Sequence, residues 1–430
     1  PKQPPYSRTT ITGINMHKDF TVAVTGDSII RQRLSLCQDE RFLSLVKVIR
    51  EADAAYTHLE VAIHDFEGPE VYPAAEGGHN WSQASGFAVE ELKWAGFDIV
   101  STPSNHVLDY SYGGLYSTWK ALKAAGMPYA GTGMNLAEAR APAYLDTPKG
   151  RLGLVSMVSS FVRWSRAGEA RRDMQGRPGV NPLRFHHLVD RDTAESLKKN
   201  AYKQGLRIYE LDNLLLFTQP GVENTISKYV VRDEPGFVSV ADEQDAEGNL
   251  RSIRLARKQA DYVIAHLHSH DFHPEQGIRV PPHFVPPFAR SCIDDGADLF
   301  IAQGCHAPLR GIEIYKGKPI FYDTGDFLLS IPAHVKKLPS DFYERPGFQP
   351  GTGEQDGLDA IREFDKKSLI NPSRISPVGK ACIVPICTFG EGRKLKEIKL
   401  YPATFIEEPI SMRGIPVMAN AEMARKIIDH

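Results

Sequence analysis

Gly96–Gly114 reads GFDIVSTPSNHVLDYSYGG. Its Phe97–Ser101 segment is short, apolar and β-branched, the signature of a buried strand. A turn-forming Pro-Ser-Asn follows, so Asn105 and His106 stand where the strand ends, with Asp109 close behind. In open α/β sheets, sites lie just beyond the carboxyl ends of the strands. An amide oxygen and an imidazole there can ligate a metal, or hydrogen-bond a substrate or the attacking water. A capped helix start is the competing reading, because Asn also caps well.

The same grammar recurs along the chain. Phe20–Thr25, FTVAVT, is apolar throughout and so buried on both faces, and it runs into Gly26-Asp27-Ser28. Asp27 there is a metal ligand or a turn carboxylate. In Asp53–Ala62, DAAYTHLEVA, His58 and Glu60 are two apart and share a face if the chain is extended. Tyr262–Leu267, YVIAHL, runs into His266, His268, His270 and His273, and an extended chain places 266, 268 and 270 on one face. Neutral imidazole is a common transition-metal ligand, so this is a metal group or a surface cluster. Ala297–Gln303, ADLFIAQ, ends in Gly304-Cys305-His306. One or two carboxylates, one amide and several imidazoles thus come from separate strand ends. Such a set suits two adjacent divalent ions about 3.5–4 Å apart. There is no Gly-x-Ser-x-Gly elbow and no Walker-type phosphate loop, which argues against a serine hydrolase or a nucleotide motor.

The chain has 430 residues and a formal net charge of -2, which gives no nucleic-acid footprint and no polybasic membrane patch. Its five cysteines are scattered and form neither a zinc ribbon nor a disulfide framework, and a cytoplasmic location is expected. No apolar run reaches transmembrane length, and PKQPPYSRTT at the start of these residues lacks a signal-peptide core. Four regions are expected. Residues 1–18 form a polar arm, and 19–330 the main α/β domain with an excursion at about 188–250. Residues 331–380 are a Pro-rich insertion or lid, and 381–430 a hairpin and helix that complete the domain. Asp233–Asn249 reads as an acidic loop, with a helix from Arg251 to Gln259. The long irregular stretch 161–184 is rich in Arg and Gly and reads either as a solvated basic loop or as part of the substrate pocket, with Arg177 and Asn181 as contacts.

Six motifs then carry a family resemblance from about Phe20 to Phe327. They are TGD (Thr25–Asp27), HLE (His58–Glu60), SNHVLDY (Ser104–Tyr110), HSHD (His268–Asp271), DDGADLFIAQGCH (Asp294–His306) and GIEIYKGKPIFYDTGDF (Gly311–Phe327). With these, the chain resembles the CapA/PgsA family, of the poly-γ-glutamate capsule-biosynthesis type, within the calcineurin-like metallophosphoesterase superfamily. The resemblance implies a four-layer α/β/β/α sandwich with two mixed sheets and a site at their shared edge. It implies Asp27, Glu60, Asn105, His268 and His306 as ligands of one or two divalent ions of the zinc, manganese or iron kind. His106 becomes the imidazole that protonates a leaving group. His270 becomes an additional ligand or a substrate contact, Asp109 joins the substrate side, and His58 is a further candidate. The chain also departs from the pattern. The superfamily's Asp-x-His is Asp27-Ser28-Ile29 here, Glu60 replaces its second carboxylate, and the family's Gly-Asn-Phe is Gly325-Asp326-Phe327.

Three functions are open on this reading. The first is a metal-dependent hydrolase of a phosphoester or an amide such as a γ-glutamyl bond, with a small-molecule or peptide substrate. The second is a peptide epimerase, in which Asp27 and His306 form an acid–base pair. The third is a non-catalytic factor in poly-γ-glutamate capsule assembly.

Overall fold

The computed structural model describes residues 19–74, 81–221, 225–306, 309–330, 338–343 and 381–429. The expected N-terminal arm and most of the expected lid lie outside the described residues.

Phe20–Ile29 is the central strand of the first sheet, and its apolar run is buried almost throughout. It pairs in parallel with Ala54–Leu59, which pairs in parallel with Ile99–Ser101, which pairs with Tyr129–Ala130. On its other side it pairs antiparallel with Cys382–Phe389, followed by Leu395–Phe405 and Pro416–Met418. The second sheet runs in the order Ile312–Tyr315, Lys318–Phe321, Leu299–Gln303, Tyr262–His268, Gly150–Val158 and Ala143–Thr147. Its four inner strands are parallel and its two outer ones antiparallel. Both sheets are therefore mixed.

The sheets pack face to face. Val22, Val24, Tyr56 and Ile99 from the first meet Leu154, Ile264, Ile301 and Phe321 from the second in one buried cluster. Helices Glu40–Arg50 and Phe87–Ala95 cover the outer face of the first sheet through Phe42, Leu45, Ile49 and Leu92. Helices Glu243–Gln259 and Val285–Asp294 cover the second through Ile253, Ala256, Phe288 and Cys292. This is the four-layer α/β/β/α sandwich with two mixed sheets that the motifs implied.

Two details differ from the sequence reading. The separate unit lies at 185–241, a five-stranded sheet with helix Arg191–Lys203 packed on it through Ala194 and Ala201. The acidic stretch expected as a loop is the first half of the helix Glu243–Gln259. Asp242 caps that helix by accepting from the Asp245 backbone N–H, and Glu243 and Asp245 sit in the first turn, where the helix dipole favours them. Its Gly248 lies directly under the Arg140 guanidinium.

Candidate metal centre

The parallel strands of both sheets end at one edge, and each delivers a polar side chain there. Asp27 comes from the Phe20 strand, at a register shift between Val24 and Asp27 in its pairing with the Ala54 strand. Such a bulge re-aims a side chain. Gly26 makes it possible, because a Cβ there would stand 1.7 Å from the Gly325 carbonyl oxygen. Glu60 follows the Ala54 strand directly, and Asn105-His106 follow the Ile99 strand after the Pro turn. His268 ends the Tyr262 strand, and His306 lies just past the Leu299 strand, with a positive φ of 49° two residues after Gly304.

Asp27 and Glu60 are fully buried, and none of their four carboxylate oxygens makes an aligned hydrogen bond among the described residues. Imidazoles surround them. Glu60 Oε1 has His306 Nε2 at 3.4 Å, His268 Nε2 at 3.6 Å, His270 Nε2 at 3.7 Å and His106 Nε2 at 3.9 Å. Asp27 Oδ1 has His268 Nδ1 at 3.5 Å and His58 Nε2 at 3.8 Å, while its Oδ2 has His306 Nδ1 at 3.9 Å. Asn105 Oδ1 lies 3.2 Å from His268 Nε2 and 3.1 Å from His270 Nε2. Three overlapping groups have ligand atoms close enough to hold an ion: Asp27–His58–His268, Glu60–His268–His270 and Asp27–His306–Asp326. Buried carboxylates without partners are costly, and this donor set fits a cation between them.

The electrostatics of three of the rings agree with that fit, whereas at His306 burial is outweighed by Asp326 and Glu60, which hold the imidazole well above its ordinary value. Burial, with Glu60 beside it, pushes the Asp27 carboxyl well above the usual range. Burial and neighbouring imidazoles hold His58, His268 and His270 well below theirs, so these rings are neutral, the form that ligates. Burial resists ionisation of Glu60, but His306, His106 and His270 outweigh it and hold the carboxyl below its ordinary value.

Behind this layer stand the groups that orient it. Asp109 accepts from the Ser82 backbone N–H at 2.7 Å and lies 2.6 Å from His106 Nδ1. Asp326 Oδ1 lies 2.7 Å from His306 Nδ1. A carboxylate on the far nitrogen fixes tautomer and ring orientation. The His58 ring stacks on His268 at 4.6 Å, and its Nδ1 lies 2.8 Å from Ser101 Oγ.

Asp27, Glu60, Asn105, His106, His268, His270 and His306 thus come together, with His58 alongside. Asp109, read as a substrate contact, is fully buried behind His106 and orients it. Arg177 is exposed, and its Nε donates back to the Arg166 carbonyl of its own loop at 2.8 Å. Asn181 is fully buried, and its Nδ2 donates to the Ser156 carbonyl and to Asn249 Oδ1, each at 2.7 Å. Neither reaches the cluster through these bonds. His266, read on one face with 268 and 270, is tied to Ser156 Oγ at 2.7 Å. Asp326 was not among the expected site residues. It repeats the Gly-then-carboxylate pattern seen at Asp27, and that was the available signal.

Fold and site together define an α/β/β/α sandwich whose strand ends, at one edge of both sheets, bring together buried carboxylates and imidazoles that could hold a metal ion. The model of the family described as bacterial capsule synthesis protein PGA_cap matches residues 21–330, and the chain belongs to that family. An uncharacterized Sinorhizobium fredii protein, y4sH, is 29% identical over 430 residues, covering 99% of this chain and 91% of that protein. A Mycobacterium tuberculosis protein named probable polyglutamine synthesis accessory protein is 29% identical over 53% of this chain and 44% of its own length. The capsule biosynthesis protein CapA of Bacillus anthracis is 24% identical over 56% of this chain and 42% of its own. The match thus covers under half the length of either of these two named relatives. Among the described residues no helix is long and apolar enough to cross a membrane.

Proposed function

We propose that this protein is a divalent-metal-dependent hydrolase acting on a phosphoester or on an amide such as a γ-glutamyl bond in a small molecule or peptide. The observation that carries this reading is the pair of buried carboxylates, Asp27 and Glu60, whose oxygens make no aligned hydrogen bond among the described residues while four imidazoles face Glu60 within 3.9 Å. Asp27, Glu60, Asn105, His268 and His306 would hold one or two ions. When bound, such an ion supplies Lewis acidity and a water of lowered pKa. The chain's own residues do the rest. Asp109 holds His106 by Nδ1, so Nε2 faces the cluster and is placed to give a proton to the leaving group. Asp326 holds His306 in the same manner. The two sheets exclude water from the inner side, where Asp27, Glu60 and His268 are fully buried.

An epimerase with Asp27 and His306 as its two bases has less support. Bases on opposite faces of one carbon stand about 6 Å apart, twice a hydrogen-bond contact. Asp27 Oδ2 stands 3.9 Å from His306 Nδ1, and that nitrogen is already held by Asp326 at 2.7 Å.

The test is an assay of the zinc- or manganese-loaded protein on aryl phosphate mono- and diesters and on γ-glutamyl anilides, with Glu60→Gln beside it. Release of phosphate or amine by the wild type, abolished in the variant, is the expected result. Turnover that survives Glu60→Gln, or Cα–H exchange with solvent deuterium and no bond cleavage, would refute it.

A further inference from the structure

We propose that His270 is itself a metal ligand, and that it makes the centre prefer zinc and similar imidazole-seeking metals to manganese. This rests on the metal-centre reading and goes beyond it, because it fixes the role of a residue that a substrate contact would explain equally well from the sequence.

The geometry is convergent. His270 Nε2 lies 3.1 Å from His268 Nε2 and 3.1 Å from Asn105 Oδ1, with Glu60 Oε1 at 3.7 Å. Donors bound to one ion at about 2.0–2.2 Å lie about 2.9–3.5 Å from each other. Two imidazole nitrogens turned toward one another and toward one amide oxygen make a poor hydrogen-bond arrangement, since only one proton can sit between them. They make a good ligand pair. The His270 ring is nearly perpendicular to that of His268, at 82°, and at 65° to that of His306, so the in-plane lone pairs cross rather than run parallel.

The turn that carries His270 is built to hold it. The His270 backbone N–H donates to Ser160 Oγ at 2.8 Å. The next residue, Asp271, accepts from Ser159 Oγ and Ser160 Oγ, each at 2.8 Å, and from Ser269 Oγ at 3.2 Å. Arg310 Nη2 donates to the Asp271 carbonyl at 2.9 Å. A side chain waiting for substrate would keep its polar tip toward solvent. Here Nε2 is turned inward, and the side chain is 31% exposed against 0% for His268 and Glu60.

Imidazole suits zinc, nickel, copper and iron, whereas carboxylate and carbonyl oxygens suit manganese, magnesium and calcium. With His270, an ion held by Glu60 and Asn105 would have two imidazoles, His268 and His270. Removing one imidazole should cost zinc more than manganese.

The experiment is chelator competition for Zn²⁺ and for Mn²⁺ on the full chain, comparing wild type, His270→Ala and His270→Gln. Zinc affinity should fall about tenfold or more in both variants, and manganese affinity by less than about threefold. Zinc affinity within about threefold of wild type would overturn the proposal, above all if KM alone rises. An equal loss for both metals would overturn it too, as a structural effect. If the alanine variant does not fold, the glutamine variant is read alone. A wild type that binds zinc selectively but cleaves no substrate refutes the hydrolase and leaves this proposal standing. A wild type that binds neither metal refutes both.

Discussion

His106 stands between two carboxylates. Its Nδ1 is 2.6 Å from Asp109 and its Nε2 is 3.9 Å from Glu60. Burial disfavours the imidazolium, but Asp109 and Glu60 outweigh it and raise the pKa above the ordinary histidine value. That is the setting of a proton donor beside a cation site, rather than of a ligand. His106→Ala should therefore lower kcat by about 10²–10⁴-fold while the metal content stays at the wild-type level. Parallel loss of metal and activity would reassign His106 to the ligand set. The residue scale also shows what was readable beforehand. Asp27, Glu60, Asn105, His106, His268 and His306 all stand near or just past the ends of buried strands, and a strand end fixes where a side chain goes. Arg177 and Asn181 lie on an irregular loop, where composition says nothing about direction. One turned back to its own loop and the other into the core. Asp326 carried the right pattern, but its role follows from contact with His306, 20 residues away, which no spacing rule reports.

Among elements, the decisive joint is the one between the Gly150 strand, the 161–184 loop and the Glu243 helix. Asn181 reaches from the loop to the Ser156 carbonyl on the strand and to Asn249 on the helix. Asn181→Ala strips the partner from buried Asn249 Oδ1, which should cost about 1–3 kcal/mol of stability. A shifted denaturation midpoint with unchanged KM per folded molecule is the expected outcome, and a raised KM at unchanged stability would return Asn181 to the substrate pocket. The strands at this joint were legible from their apolar runs. The start of the helix was not, because its first half is acidic and contains Gly248. Asp242 as cap and the acidic first turn explain in hindsight why that stretch is helical.

For the molecule as a whole, the sandwich buries several imidazoles whose pKa burial lowers, and these contribute to its response to acid. His64 is fully buried between Phe66 and Tyr110, with its Nε2 unpartnered among the described residues. Burial pushes it down to about 4, only partly offset by Glu67 and Asp65. In the unfolded chain the same ring titrates near 6.5. Its stabilisation is therefore complete above pH 6.5 and is lost as the pH falls through about 4, by roughly 3 kcal/mol. In chelator, His64→Gln should lose less stability than wild type between pH 7 and 4; parallel profiles would contradict this. At this scale the layered fold was readable because strands and helices alternate along the chain, and the family motifs fixed the rest. The unit at 185–241 was visible only as an interruption, since its five strands pair with each other and leave no mark on the main pattern.

All of this depends on the strand ends holding a cation. Elemental analysis of the purified, untagged chain, beside Asp27→Asn and His268→Ala, tests that most directly. One or two equivalents of a transition metal in the wild type, with a loss in each variant that remains folded, is the predicted result. A wild type that takes up no zinc, manganese or iron, or variants that hold as much as the wild type, would contradict the metal centre.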